Sequence, residues 1–346
     1  MTRAGKYPRN RWFMAAWSDE VGETMLRRRL LGQPILLMRR EDGTATALTD
    51  RCPHRFAPLS EGTRDGDIVH CPYHGLGFNA EGQCVHNPFS DTPPKGASLR
   101  LWPTSERDGI LWFWAGDPAL ADPALIPDFA PIIKAGLAPL KGLMGMNAPY
   151  EYATDNLMDL SHIEFVHKGS FAGNGVIFAG RHELRQEGTA LWSNWWMPDV
   201  PAPPHTMGIY ERGMPTDHWL DMRWEAPASM LLEIGATPAG KSREEGVVVH
   251  QAHIITPESD GTSHYFWATT RSSGQAHEQA DAMIKSLMEQ AFMVEDKPII
   301  ERSYANLDGM DFWDARPAFL GIDAGGTKAR RLLQQMIAEE EAALAA

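Results

Sequence analysis

Apolar and polar positions alternate in two regimes along this chain. Through the first 116 residues, short β-prone runs such as Ile35-Leu36-Leu37-Met38 and Ile110-Leu111-Trp112-Phe113-Trp114 are separated by Asp42-Gly43, Asp65-Gly66, Glu81-Gly82 and Asp108-Gly109. Glycine tolerates the positive φ of a tight turn, so these pairs predict hairpins. Their close spacing predicts a small antiparallel β domain. From Gly116 to Asp128 the pattern breaks, and Asp-Pro-Ala-Leu occurs twice. Proline lacks an N–H and restricts its predecessor, so this stretch reads as a linker. It divides the chain into 1–116 and 117–346. Beyond it, Asp155 to His167 reads as helical and ends near Gly169. Met230–Ile234 and His264–Thr270 read as strands, with Asp260-Gly261 turning into the second. Ala280, Met283, Ile284, Leu287, Ala291 and Val294 make a helical stripe between Ala276 and Asp296, and Thr327 to Ala346 reads as a terminal amphipathic helix. Met197 to Met207 holds four prolines and reads as an irregular loop. Strands followed by separated helices predict an α+β fold, not a doubly wound sheet.

Composition narrows the partners. A length of 346 residues suits two domains. The 12 Trp, 13 Phe and 7 Tyr supply enough apolar area to exclude disorder. Acidic residues outnumber basic ones by 45 to 32, and the net charge of −13 repels phosphate backbones and anionic lipid. Neither nucleic acid nor a membrane surface is therefore an expected partner. No apolar run approaches the roughly 20 residues of a membrane-spanning helix. The start, Met1 to Pro8, lacks the apolar stretch of a signal peptide. Three cysteines exclude a disulfide scaffold and favour metal binding or catalysis. A cytoplasmic protein is expected.

Candidate chemistry begins with Arg51-Cys52-Pro53-His54-Arg55 and Cys71-Pro72-Tyr73-His74-Gly75, a C-x-H-x16-C-x-x-H pattern. Two thiolates and two imidazoles serve either a structural zinc tetrahedron or a Rieske [2Fe–2S] centre, in which the cysteines hold one iron and the histidines the other. Zinc motifs of this class keep Cys pairs and His pairs apart, so the interleaved pairs Cys52/His54 and Cys71/His74 fit the cluster better. His70 and His86 match neither ligand spacing and read as structural. Cys84 reads as a buried small apolar side chain.

A second group lies in Asp155-Asn156-Leu157-Met158-Asp159-Leu160-Ser161-His162-Ile163-Glu164-Phe165-Val166-His167. Asp159 and His162 are three apart, so the carboxylate is placed to orient the imidazole. His162 and His167 are five apart, about 140° round an ideal helix, and can share one ion only if the helix distorts or ends between them. Two His and one carboxylate with open positions make the facial triad of oxygen-activating non-haem Fe(II). Spacing leaves Glu151, Asp155 and Glu164 open as the third ligand.

These motifs, together with Ile255-Thr256-Pro257-Glu258, Glu295-Asp296-Lys297, Ile322-Asp323-Ala324-Gly325-Gly326 and Arg330-Arg331, resemble the oxygenase component of Rieske non-haem iron oxygenases. The likeness spans nearly the whole chain and is nearest to the aromatic O-demethylases of vanillate and dicamba type. It implies an N-terminal all-β Rieske domain and a C-terminal helix-grip catalytic domain. His162, His167 and Asp296 would hold the mononuclear iron. Pro298, just beyond Asp296, is expected to end or kink that helix. The resemblance also implies a head-to-tail homotrimer, with Asp159 as a buried carboxylate bridging His74 of one copy and His162 of the next.

The activity so implied is O₂-dependent O-demethylation of a methoxylated aromatic acid, releasing formaldehyde and a phenol. Without a Gly-x-Gly-x-x-Gly fingerprint, the chain would take electrons from an NADH-dependent flavin and iron–sulfur reductase, directly or through a ferredoxin. Ring hydroxylation, N-demethylation or another C–H oxidation is the alternative within the same family. An electron-transfer protein with an idle second domain, and a colourless zinc-stabilised binding protein, are the alternatives outside it. His253, Trp195, Trp196 and Phe292 are read as core residues that also qualify as pocket lining. No Arg or Lys is singled out as a carboxylate anchor.

Overall fold

The computed structural model describes residues 7–133, 137–171, 175–272 and 278–345. Ala276 and Ala346, the outer ends of two predicted helices, lie outside them. Each acid–glycine pair joins two antiparallel strands: Gln33–Arg39 with Ala45–Thr49, Thr63–Asp65 with Ile68–His70, Gly77–Phe78 with Cys84–His86, and Thr104–Arg107 with Ile110–Trp114. At the last turn Asp108 and Gly109 have φ of 57° and 73°, so both central residues are left-handed, as a two-residue hairpin loop demands. The strands make three small antiparallel sheets. One core beneath two of them gathers Leu36, Leu48, Val69 and Phe78 with all three cysteines.

Two compact units result. The first runs to Ile126 and includes Thr256–Asp260 and the chain from Glu340; the second takes Pro127–Ile255 and Gly261–Glu339. The linker belongs to the first because Trp12 Nε1 donates to the Asp122 carbonyl at 2.8 Å, and an Arg107 guanidinium N–H to that of Ile126 at 3.1 Å. Within the linker, Asp117 and Asp122 each cap a short 3₁₀ turn that starts at proline.

The second unit is built on a seven-stranded antiparallel sheet. Its order is Leu140–Met146, Ser263–Thr269, Val247–Pro257, Ser229–Pro238, Pro215–Glu225, Ala190–Pro201 and Arg181–Glu187. The segment from Met197 to Met207 is not all loop: the strand continues to Pro201, and a 3₁₀ turn follows at Pro204–Thr206. Pro198 is tolerated because the pairing register shifts between Met197 and Val200, a bulge where no ladder N–H is required of it. Gly235 faces Trp219 across the sheet, and a Cβ there would lie 2.0 Å from the indole ring. Among the described residues no helix is long and apolar enough to cross a membrane.

Candidate metal centres

The two Cys-His segments form matching loops. Cys52 N–H donates to the Ala57 carbonyl and Phe56 N–H returns to that of Cys52, both at 2.9 Å. Cys71 N–H to Leu76 and Gly75 N–H to Cys71 repeat the arrangement at 2.8 and 3.0 Å. The fifth residue of each loop is left-handed, Phe56 at φ 62° and Gly75 at φ 73°. This construction sinks both sulfurs and raises the imidazoles: Cys52 and Cys71 are buried, His74 is half-buried and His54 exposed. The His54 and His74 rings lie 4.7 Å apart. Burial pushes the Cys52 thiol pKa up, with Cys71 close beside it. His74 Nδ1 is buried and has no hydrogen-bond partner among the described residues. Two adjacent thiols beneath two converging imidazoles, one with an orphaned nitrogen, fit a [2Fe–2S] cluster with two sulfur and two nitrogen ligands.

The second group depends on helix distortions. Helix Tyr150–Met158 stops at Asp159, a 3₁₀ turn runs Leu160–His162, and a four-residue helix Ile163–Val166 leads to His167. That break brings two histidines five apart to one place, their rings 5.2 Å apart. From the other side, helix Glu278–Glu289 widens into a π segment, Gln290–Asp296, before helix Lys297–Ala305. Pro298 does not end the helical path. It occupies the first turn of the last helix, where its missing N–H costs little. Asp296 is 2% exposed, and its oxygens lie 3.5 Å from His162 Nε2 and 3.3 Å from His167 Nε2. Ligand atoms of the three residues all fall within 4.8 Å of one another. One carboxylate and two imidazole nitrogens, converging and nearly dry, suit a divalent iron with open positions.

The outer nitrogens of both imidazoles are held. His167 Nδ1 meets Glu295 Oε2 at 2.8 Å. Glu295 also accepts from the Ser170 hydroxyl at 2.5 Å and the Gln290 amide at 3.3 Å. Burial raises the Glu295 pKa, but these hydrogen bonds outweigh it and leave it lowered. A Cβ at Gly169 would sit 2.7 Å from Glu295 Oε1, so any side chain there would push that carboxylate aside. For His167, burial lowers the pKa and the bonds to Asp296 and Glu295 reverse the sign. His162 is lowered by burial against the pull of Asp296. Its Nδ1 contacts the Asp159 backbone carbonyl, not the carboxylate that spacing suggested. The Asp159 carboxylate is half-buried, and Oδ1 accepts from Ser161 N at 3.0 Å and Ser161 Oγ at 2.6 Å. Asn156 Nδ2 reaches Asp296 Oδ1 at 3.3 Å.

Two of the three other acidic candidates, Asp155 and Glu164, are engaged elsewhere, and Glu151 is not among the converging ligand atoms. Asp155 takes both oxygens to buried Arg330 at 2.7–3.0 Å, tying the Tyr150–Met158 helix to the terminal helix Ala324–Ala345. Glu164 accepts from the backbone of Gly175 and Ile177. His253 is buried with Nδ1 2.7 Å from the Tyr265 hydroxyl, and Phe292 packs edge-on to it. Trp195 is buried beside His182, while Trp196 stacks on Trp219. Cys84 is buried in the first unit's core, and His70 packs against His86. Ser170 was not singled out in the sequence, and Asn156 and Glu295 stood in the quoted motifs with no role assigned to them.

Comparison with known proteins is decisive about kinship. Residues 11–103 match the Rieske [2Fe-2S] domain, and residues 146–339 match the vanillate O-demethylase oxygenase C-terminal domain. This chain belongs to the Rieske oxygenases of vanillate O-demethylase type. It is 35% identical to the oxygenase component of a chloroacetanilide N-alkylformylase from Rhizorhabdus wittichii, over 96% of each chain. It is also 35% identical to the oxygenase component of dicamba O-demethylase from Stenotrophomonas maltophilia, over 95% of this chain and 98% of that one. The solved structure of dicamba monooxygenase with 3,6-dichlorosalicylic acid superimposes with a TM-score of 0.90 at 34% identity, covering 96% and 98% of the two chains. As a Rieske-type monooxygenase component, the chain carries a [2Fe–2S] cluster and a mononuclear non-haem iron, and draws electrons from separate proteins.

Proposed function

We propose that this chain is the terminal oxygenase of an oxidative O-demethylation, acting on a methoxylated aromatic acid. The observation that carries the reading is the dry convergence of His162, His167 and Asp296 in a chain whose relatives include O-demethylases. Cys52, His54, Cys71 and His74 would hold the cluster, and His162, His167 and Asp296 the single iron. Bound there, the two centres supply one-electron storage and O₂ activation.

The side chains do the rest. Glu295 holds the proton on His167 Nδ1 and so leaves the Nε2 lone pair free. The Asp159 carbonyl does the same for His162, and Asn156 fixes one oxygen of Asp296. The overall change balances as ArOCH₃ + O₂ + 2e⁻ + 2H⁺ → ArOH + CH₂O + H₂O. A hydroxylated methyl is a hemiacetal, which collapses to formaldehyde and the phenol.

Electrons come from an NADH-dependent flavin and iron–sulfur reductase, directly or through a ferredoxin. The working unit is a head-to-tail homotrimer, in which Asp159 links the two centres: its carboxylate would meet His74 of one copy while its backbone carbonyl holds His162 Nδ1 of the next. A heterologous contact that closes after three copies is physically sound. The half-buried Asp159 supports the role, because Oδ2 takes no hydrogen bond among the described residues.

A second reading, oxidation of an N-alkyl carbon, is favoured by the likeness to the N-alkylformylase component. Assays with a surrogate reductase on methoxybenzoates, neutral anisoles and N-alkyl anilides separate the two. Formaldehyde and phenol in equal amounts from a methoxybenzoate are expected. Turnover confined to anilides would replace the first reading with the second.

A further inference from the structure

Beside the Cys52–Ala57 loop the first unit carries a basic surface that demethylation chemistry does not use. Two adjoining hollows share Gln33, Arg100 and Trp102; one extends to Arg9, the other to Arg51 and Phe56. They form one trough, which ends at residues flanking Cys52 and His54 in the chain. Arg9, Arg51 and Arg100 are exposed. Arg27, Arg28, Arg39, Arg40 and Arg64 of the same unit all pair with carboxylates. Among the described residues, the three trough arginines pair with none. Arg100 instead lies 3.6 Å over the Trp102 ring, and Arg51 5.9 Å over Phe56, itself 69% exposed. Arg9 is near enough to Arg100 to repel it.

Three unpaired guanidiniums side by side stand out in a chain of net charge −13. A chain of that net charge repels an acidic protein, whereas these three guanidiniums attract one, with the Glu340 carboxylate, which accepts from the backbone N–H of Arg9 and Asn10, as the acidic neighbour at the Arg9 end. Such a reversal orients an encounter as well as attracting it. Arg51 over the exposed Phe56 ring and Arg100 over the buried Trp102 ring also have the composition of a protein contact, not of a small-ion site.

We infer that this trough is the docking surface for an acidic iron–sulfur electron-donor protein, which it seats next to the Cys52 and His54 side of the cluster site. The inference rests on the proposed reading of the chain as an oxygenase fed by such a donor. In the exchange one electron leaves the donor's reduced iron–sulfur centre and one is gained at the centre held by Cys52, His54, Cys71 and His74. No bond or proton need change hands.

The test uses the full chain with its cluster, reduced in a stopped-flow instrument by an acidic plant-type [2Fe–2S] ferredoxin. Arg9→Glu/Arg100→Glu should lower the second-order rate about tenfold or more at low ionic strength. The difference should vanish at high salt, and Arg100→Lys should restore most of the rate. Reduction by dithionite should match the parent protein, as should the ferredoxin rate of Arg212→Glu in the second unit. An unchanged ferredoxin rate and salt slope in the double variant would overturn the proposal. So would a changed oligomeric state in ultracentrifugation with the rate intact, since the trough would then be a contact between copies. A protein that lacks the cluster's colour would instead sink the oxygenase reading, so the two failures are distinguishable.

Discussion

The two groups proposed to bind metal are built from overlapping donor types and set at opposite depths. In the first unit, tight loops bury the sulfurs but leave His54 exposed and His74 half-buried, with a nitrogen unengaged. In the second, His167 and Asp296 are 3% and 2% exposed, and Glu295, Asn156 and a backbone carbonyl occupy the outer nitrogens and a carboxylate oxygen. An electron can tunnel through a protein surface, so a relay gains from an imidazole edge at the rim. Oxygen chemistry needs the reverse, a dry site whose ligands cannot rotate. Depth, more than ligand identity, separates relay from reaction centre.

The sharpest way to break that comparison is to remove one ligand from each group. His167→Ala should cut product formation roughly a thousandfold or more while leaving the cluster's visible absorption intact. Cys71→Ala should abolish both. Parallel loss of colour in His167→Ala would deny that the two groups are separate.

Acid should strike the second unit through its own histidines. Burial lowers His218 and His253 to about 4, so both are neutral when folded and take up protons on unfolding. The unfolded chain then binds more protons below its usual histidine pKa, and stability falls as pH drops from 6.5 towards 4. For these two residues the loss between pH 6.5 and 5 is about 3 kcal/mol. Denaturant midpoints across that range measure it, and a flat profile in the parent protein would contradict the burial argument. The double variant His218→Gln/His253→Gln should flatten the slope.

Removing the outer support should have a smaller effect. Glu295→Gln keeps the size but loses the charge that holds His167, and should weaken iron binding about 10- to 100-fold. Equilibrium dialysis of Fe(II) reads this without turnover. Asp159→Asn keeps an oxygen for Ser161 and removes only the charge. It should retain both metals and slow single-turnover cluster oxidation about tenfold, the worth of one charge-assisted hydrogen bond. Unchanged oxidation kinetics would remove Asp159 from the bridge.

The uneven legibility of the chain follows from range. Asp108-Gly109 and the other turn pairs act through their own backbone, so their hairpins can be read directly from the sequence. Cys52, His54, Cys71 and His74 lie in two short loops whose spacing carries their geometry. The strand through Pro198 was hidden because a bulge, set by the partner strand's register, excuses the proline. Asp296 required resemblance: 129 residues separate it from His167, and a π segment aims it. The role of Glu295 was missed for a related reason. Its partner His167 is 128 residues away, and only folding brings Gly169 close enough to make room for it.

The most direct test of the account is metal and sulfide content of anaerobically prepared protein, parent beside Asp296→Ala. One [2Fe–2S] cluster and one mononuclear iron predict about three iron and two acid-labile sulfide per chain. The variant should fall to about two iron with sulfide unchanged. Loss of sulfide along with the iron, or no loss of iron, would contradict the division of labour argued for these two sites.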